Sequence, residues 1–453
     1  VPTTANDGAV IFFSSTGAPG GSGNDNNIIS NNDISASTTV PFVLIKGYGT
    51  TANANSNITI SNNLIHDFFS TVNSHCRGIY LGSGNTAWTI TGNRIYQTAD
   101  RQWLSSGNNV YSCIEITNAV NGNGSNFQIT NNVLGFRDAA GTGYTVLKNG
   151  GSSSTNIASN LQVIIFNATG SVNNLISGNT IGGFDLMSSR ATSTANENIF
   201  IGIFIRTGTV SVTNNTIGSG SSSNSILIRS TATTAPAPVP AAGIYVRGAN
   251  PVTVTGNVIG GLTFSFMSPG STGSDRISFI GIFSDNTNQT FIRNNVIGGS
   301  NSSNIVMPYL NARLVGIQCS GGSGGGISKV TGNKIYNLVH TGVRTAFSGQ
   351  NSNVVGILLA PGNVNDSIAQ DTIFNLSSTA STASGNKSLV GIYVDAPAFG
   401  AGVVVSKNYI HSLTTPGGPG SITGINTSAG KTRIHNNMIS VGAGQTGADI
   451  IYG

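Results

Sequence analysis

Apolar and polar residues alternate in short runs along this chain, and the runs recur. Val252 to Ile259 reads Val-Thr-Val-Thr-Gly-Asn-Val-Ile. Related stretches end at Ile95 (Thr-Ile-Thr-Gly-Asn-Arg-Ile), Ile217 (Val-Ser-Val-Thr-Asn-Asn-Thr-Ile), Ile297 (Phe-Ile-Arg-Asn-Asn-Val-Ile) and Ile335 (Lys-Val-Thr-Gly-Asn-Lys-Ile). Alternation with period two predicts a strand with one buried face. The central Gly or Asn supplies the positive φ of a tight turn before a second, shorter strand.

The Asn after the turn residue marks the register. It falls at Asn32, Asn63, Asn93, Asn132, Asn179, Asn215, Asn257, Asn295, Asn333, then Asp371, Asn408 and Asn437, at intervals of 29 to 47 residues. A second mark precedes most of these: Gly78-Ile79, Cys113-Ile114, Val163-Ile164, Gly202-Ile203, Gly243-Ile244, Gly281-Ile282, Gly316-Ile317, Gly356-Ile357, Gly391-Ile392 and Gly424-Ile425. Each repeat is thus predicted to be a Gly-Ile strand, a short turn, a Val-Thr strand, the tight turn, an Asn-x-Ile strand and a longer loop back. Three strands per turn make a parallel solenoid of about twelve coils, ~60 Å long at ~4.8 Å per coil. Residues 1–453 are read as one such body, since added length means added coils rather than added domains.

Stacking places equivalent residues over one another. The isoleucines of both marks become inward columns, and the asparagines become a ladder whose amides both donate and accept at a corner shut off from water. Asp371 departs from this, because an ionised carboxylate only accepts, and Gln370 replaces the usual Gly or Asn before it. That corner is expected to be the least regular. Insertions concentrate after Asn-x-Ile, as at Ser219 to Ser225 and Ala235-Pro-Ala-Pro-Val-Pro240, the latter excluded from a central strand because proline lacks the donor. The loops also show a two-coil period: Ile-Gly-Gly-Phe-Asp-Leu-Met at Ile181 is answered by Ile-Gly-Gly-Leu-Thr-Phe-Ser at Ile259. Later coils end differently, with Ile-Tyr-Asn-Leu at Ile335 and Ile-Phe-Asn-Leu at Ile373.

Composition narrows the function classes. Only 8% of the 453 residues are charged and 61 are glycine. Low charge with modest apolar content also fits disorder, but the strict periodicity favours order. The net charge of +5 comes from basic residues scattered singly, so nucleic acid is not an expected partner. No apolar run reaches the ~20 residues of a membrane span. No leader pattern opens the chain, and a start at Val1 suggests a removed leader or a piece of something longer. Polar, lysine-poor repeats point outside the cell. Cys76, Cys113 and Cys319 form neither a disulfide framework nor a zinc spacing.

Chemistry is sparse. The 15 acids fall about one per coil, without the paired carboxylates that lyases and hydrolases on such scaffolds use, so no catalytic residue, metal ligand or cofactor is assigned. His66 and His411 share a register with Tyr96, Tyr336 and Phe374 and read as corner-filling rings. Gly321-Gly-Ser-Gly-Gly325 lacks the elbow of a nucleophile motif, and Gly430-Lys431-Thr432 has its nearest partner, Gly424, one residue too far for a phosphate loop. The most suggestive outward column is Phe204, Tyr245 and Phe283 on three successive coils, joined by Tyr80 and Tyr393. An exposed aromatic row can stack on sugar rings or pack against a neighbouring molecule, unless the return loops cover it.

On these residues the chain resembles the pectate-lyase-type right-handed parallel β-helix family over roughly residues 28 to 453. Its Ile-Tyr-Asn-Leu and Gly-Ile-Tyr-Val phrases are similar to very large secreted repeat proteins of Bacteroidota surfaces. The resemblance implies right-handed winding, an internal Asn ladder, and export by the type IX route with contact to that secretion machinery, although no sorting domain is seen. One fold carries many activities. The expected function is a non-catalytic structural or adhesive segment of an extracellular or cell-surface fibre, with a glycan or neighbouring cell surface as partner. The alternative is a polysaccharide-binding or polysaccharide-degrading β-helix. The chain stops at Asp449-Ile-Ile-Tyr-Gly453, which reads as another strand beginning, so a longer parent chain or end-to-end self-association is expected.

Overall fold

The computed structural model describes residues 9–15, 21–35, 41–72, 75–104, 109–118, 125–149, 159–189, 198–230, 239–248, 250–266, 277–308, 312–320, 326–342, 352–360, 365–379, 387–395, 402–416, 420–442 and 450–452. Among them every regular element is a β-strand, and neighbouring strands pair in parallel. The Gly-Ile strands form sheet A, thirteen strands from Ile11–Ser14 to Ile450–Tyr452. The Val-Thr strands form sheet B, twelve strands from Ile28–Ser30 to Thr432–His435. The Asn-x-Ile strands line sheet C, from Asp33–Ile34 to Met438–Ser440. Register is kept coil after coil, as in Ile203, Ile244, Ile282 and Ile317. The inward isoleucines are buried in one continuous core, Ile425 and Ile439 of the last coil only partly. This is a parallel β-helix, as the repeat predicts.

The ladder joins every predicted position. The backbone N–H and the Nδ2 of each rung both donate to Oδ1 of the next, at 3.0 Å for Asn63 to Asn93 and 2.9 Å for both bonds from Asn215 to Asn257. The same pair of bonds links Asn93 to Asn132, Asn132 to Asn179, Asn179 to Asn215, Asn257 to Asn295, Asn295 to Asn333 and Asn408 to Asn437. Nδ2 also reaches a carbonyl of the preceding coil, such as Ile176 for Asn215. Asp371 takes its place by accepting both bonds from Asn333 on Oδ1, at 2.7 and 2.9 Å. Its backbone N–H continues to Asn408 at 3.0 Å. Its Oδ2 is buried and without a partner, which is the irregularity expected there.

The residue before each rung is left-handed in all twelve coils, with φ between 53° and 70°. Gln370 and Lys407 adopt it as well, at φ 61° and 59°. Along this column Asn and Gly alternate from Asn62 onward: Asn62, Gly92, Asn131, Gly178, Asn214, Gly256, Asn294, Gly332. The cause is steric. A Cβ on Gly256 would sit 2.4 Å from Oδ1 of Asn214, and on Gly92, Gly178 and Gly332 it would sit 2.4–2.5 Å from the corresponding Asn. From Asn62 onward each Asn side chain leans over the next coil, where glycine leaves room for it. The two-coil period therefore has a packing basis.

The other two marks are also coupled. A Cβ on Gly243 would meet the carbonyl of Gly281 at 2.6 Å and Cγ2 of Ile259 at 2.7 Å, and Gly202, Gly281, Gly316, Gly356 and Gly391 repeat this. The glycine of Gly-Ile is thus the floor on which the Asn-x-Ile isoleucine of the same coil rests. Cys113 and Val163 stand in that place in two coils, so a side chain is accepted where its neighbours allow.

Two expectations are corrected. The return after Asn-x-Ile is not all loop: Arg101–Trp103, Thr145–Asn149, Phe184–Ser188, Ile226–Ser230, Leu262–Phe266 and Ile305–Met307 form a further ladder in sheet C. In later coils it fuses with the Asn-x-Ile strand, as in Lys334–His340, bent at Asn337 with φ 56°. Pro240 lies in the strand Val239–Gly248, opposite Ser278. Residues 231–238 and 321–325 lie outside the described residues.

The alternation yields a swap test. Gly256→Asn is expected to destabilise by about 1–3 kcal/mol through overpacking against Asn214, although Asn accepts this φ elsewhere in the column. Adding Asn214→Gly and Asn294→Gly, which clears the coils on both sides of the new Asn, should restore part of the loss in denaturant unfolding. Additive losses in the triple variant would refute the contact.

Candidate functional site

The outward column of sheet A runs Phe12, Lys46, Tyr80, Glu115, Ile165, Phe204, Tyr245, Phe283, Gln318, Leu358, Tyr393 and Asn426. Phe204, Tyr245 and Phe283 stack as the sequence predicts, with centroids 4.8 and 4.7 Å apart and planes within 8° and 16°. Tyr80 and Tyr393 share the column. An exposed platform is not formed at the first two rings: Phe204 is 0% and Tyr245 6% exposed, packed with Ile201 and Ala242, while Phe283 is half-buried. Burial pushes the Tyr245 phenol up to about 12.

Nearer the N-terminus the column is charged. Arg77 Nε donates to Glu115 Oε2 at 2.6 Å, and the guanidinium lies 4.4 Å from the Tyr80 ring centroid. Burial works to raise the Glu115 carboxyl, but Arg77 holds it below its ordinary range. Burial, reinforced by Arg77, lowers His75. The same cation serves both.

On the sheet C side, sequence reasoning missed a network. His66 is held between two carboxylates, Nδ1 to Asp67 Oδ2 at 2.9 Å and Nε2 to Asp33 Oδ1 at 2.8 Å, and stacks on Tyr96 at 4.8 Å. Asp67 also accepts from Thr98 N–H at 3.0 Å, Thr98 Oγ1 at 2.8 Å and Arg101. Arg101 Nε donates to Gln97 Oε1 at 2.6 Å, and Gln97 Nε2 reaches the buried Tyr111 hydroxyl at 3.0 Å. Three coils are clasped together. A cavity of about 290 Å3 beside Arg101 is lined by Phe42, Phe69, Ser70 and Thr71. Writing the coils in register would have exposed the clasp, since Asp33 and His66 flank the paired Ile34 and Ile65.

The hydrogen bond from Asp67 leads in raising His66, against burial, with Asp33 adding to it. Burial opposes ionisation of Asp67, but His66, Thr98 and Arg101 outweigh it and hold that carboxyl well below the usual range. Both ring nitrogens of His66 are engaged, so neither is free to exchange a proton with a substrate. His411 has the ring-stacking role foreseen, 5.0 Å from Phe374, which lies 4.7 Å from Tyr336.

Remaining ion pairs also join successive coils: Asp100 with Arg137 at 2.7 Å and Lys148 at 2.6 Å, and Asp185 with Arg229 at 2.7 Å. Outward on sheet B, Ser30, Ser61, Thr91, Thr130, Ser177, Thr213 and Thr255 form an unbroken hydroxyl column. Thr130 donates to Thr91 and Thr213 to Ser177, both at 2.9 Å. Among the described residues no group of three or more His, Cys, Asp or Glu is placed to hold a metal ion. No helix there is long and apolar enough to cross a membrane. All three cysteines are buried thiols outside any disulfide.

No protein-family model matches the chain, and no curated protein matches it. Among solved structures it is similar to a hyperthermoactive exopolygalacturonase from Thermotoga maritima, at 11% identity over 85% of this chain and 84% of that one, with a TM-score of 0.24. The assignment as a parallel β-helix solenoid stands on the strand register and the ladder described above.

The clasp has a pH signature. The stability contributed by His66 is fully present below its ordinary 6.5 and lost as pH rises through the raised folded value. That of Asp67 is present above 3.8 and lost as pH falls. His66→Phe, which keeps the stack, should cost about 1–3 kcal/mol near pH 6, and the gap to wild type should narrow by pH 9. A gap indifferent to pH would show that the ring alone matters.

Proposed function

We propose that this chain is a non-catalytic structural and adhesive segment of an extracellular or cell-surface fibre. The carrying observation is where its charges go. Glu115, Asp67, Asp100 and Asp185 are each paired with a cation on an adjacent coil, and Asp33 with the His66 ring. These charged groups act as axial stitches beside the ladder, and they are consumed in holding coils together.

The buried thiols suit an oxidising exterior. Burial pushes Cys319 up to about 12 and Cys113 higher still, keeping both as inert thiols. For adhesion, the aromatic row braces coils, and the neutral hydroxyl column of sheet B is the surface offered to an uncharged partner such as a glycan. The test pairs a carbohydrate array with an assay for polysaccharide cleavage by hydrolysis or elimination. The expected outcome is no turnover, with any binding weakened by Thr213→Val and Thr255→Val together. Catalytic release of sugar products from any polysaccharide would overturn the reading.

A further inference from the structure

The coil cornered at Asp371 carries two carboxyls where its neighbours carry amides or uncharged side chains. At the ladder position, Asp371 Oδ1 accepts from Asn333, so its Oδ2 stands where other rungs present Nδ2. In those rungs Nδ2 donates onward to the next Oδ1 and back to a carbonyl, as Asn333 does to Ile292 and Asn408 to Ile368. The matching acceptors for Asp371 are Asn408 Oδ1 and the Val330 carbonyl. An ionised oxygen there faces acceptors with nothing to give them, whereas a protonated one donates as the amide does.

Asp366, across the short strand Ser367–Ala369, is buried at 1% exposure in an inward column between Ser328 and Val403. Its Oδ1 accepts from Ser328 N–H at 2.6 Å, and its Oδ2 is buried with no partner. One coil thus holds two carboxyls, each with a buried oxygen that lacks a hydrogen bond.

We propose that the coil from Asp366 to Asp371 is a proton-operated joint: with both carboxyls protonated it bonds into the ladder like any other coil, and with both ionised it opens locally and divides the rod. Among the described residues nothing nearby neutralises the pair fully. On the preceding coil Lys329 bonds the Asn365 carbonyl at 2.5 Å and favours ionisation of Asp366 only in part. Across the interior lies the Cys319 thiol, itself held protonated. Strands Val354–Leu359, Thr372–Ser378 and Val403–Ser406 bring no charge, and Lys407, Arg433 and His435 stand at outward turn and face positions of the following coils.

Burial raises both carboxyls to about 7 from 3.8. Between those values the folded chain keeps protons that the unfolded chain has shed, so the coil's stability falls as pH rises through that window and levels off above it. This inference stands apart from the proposed function and is tested separately.

Hydrogen exchange at the amides of Asn333, Asp371 and Asn408 is compared, at matched pH, between the wild-type chain and Asp366→Asn/Asp371→Asn. Matched pH cancels the intrinsic chemistry of exchange. The ratio of wild-type to variant rate is expected to rise at least about tenfold from pH 5 to pH 8, the equivalent of one pH unit of linkage, while Asn215 and Asn257 stay unchanged. A flat ratio, or an equal rise at Asn215, would overturn the joint. Should the variant fail to fold, 13C titration of the wild-type carboxyls decides: two buried carboxyls titrating near 7 support the joint, and all titrating near 4 overturn it.

Discussion

The structure depends on one shared acceptor. At each corner a side-chain oxygen takes both the backbone N–H and the amide of the rung before it, at about 3 Å, in a place with essentially no solvent exposure. A corner so tight strands its polar groups, and a buried group without a partner costs ~1–3 kcal/mol. The amide answers this because it accepts on one atom and donates from the other, so each rung satisfies its neighbours on both sides. The ladder runs in one direction, and any replacement must reproduce both halves. Asp371 supplies the accepting half in either protonation state and the donating half in only one.

That corner sets the rest of the coil. The left-handed residue before each rung aims the chain into sheet C, which delivers an isoleucine onto the glycine floor of sheet A. Coil lengths vary in the loops between the strands while the corners remain stacked. The alternation of Asn and Gly shows the reverse case, in which a leaning amide dictates the residue one coil on.

Much of this was legible because period-two patterning ties residue number to direction. Ladder, inward columns and the Phe204 stack follow once the register is written down. What escaped were features that depend on two coils at once. The Asn and Gly alternation is a contact between coils, and Asp33, the pair His66 and Asp67, and Arg101 lie about thirty residues apart from one another in sequence. The further strand at Phe184–Ser188 was hidden by its setting among Ser and Gly, although Phe184 and Leu186 alternate inward as a strand should. The burial of Phe204 and Tyr245 was illegible for another reason: periodicity tells which way a side chain points, and says nothing of what lies above it.

Stacking also explains why the chain carries so little charge. Like charges at equivalent positions meet at ~4.8 Å, a repulsion of roughly 1 kcal/mol in water and several times that when half-buried. A repeated column avoids this repulsion where it is neutral, as on the hydroxyl face, or where opposite signs follow one another, as where Arg247 faces Asp285 in register; where Arg206 adjoins Arg247, burial and that like charge both lower the Arg206 guanidinium. Glu115, Asp67, Asp100 and Asp185 each take a cation from the adjacent coil. Clustered carboxylates of the kind hydrolysis requires run against this tendency. The coil of Asp366 and Asp371 is the place where two acids persist without full compensation, and there the cost is relieved by a proton rather than by a partner residue.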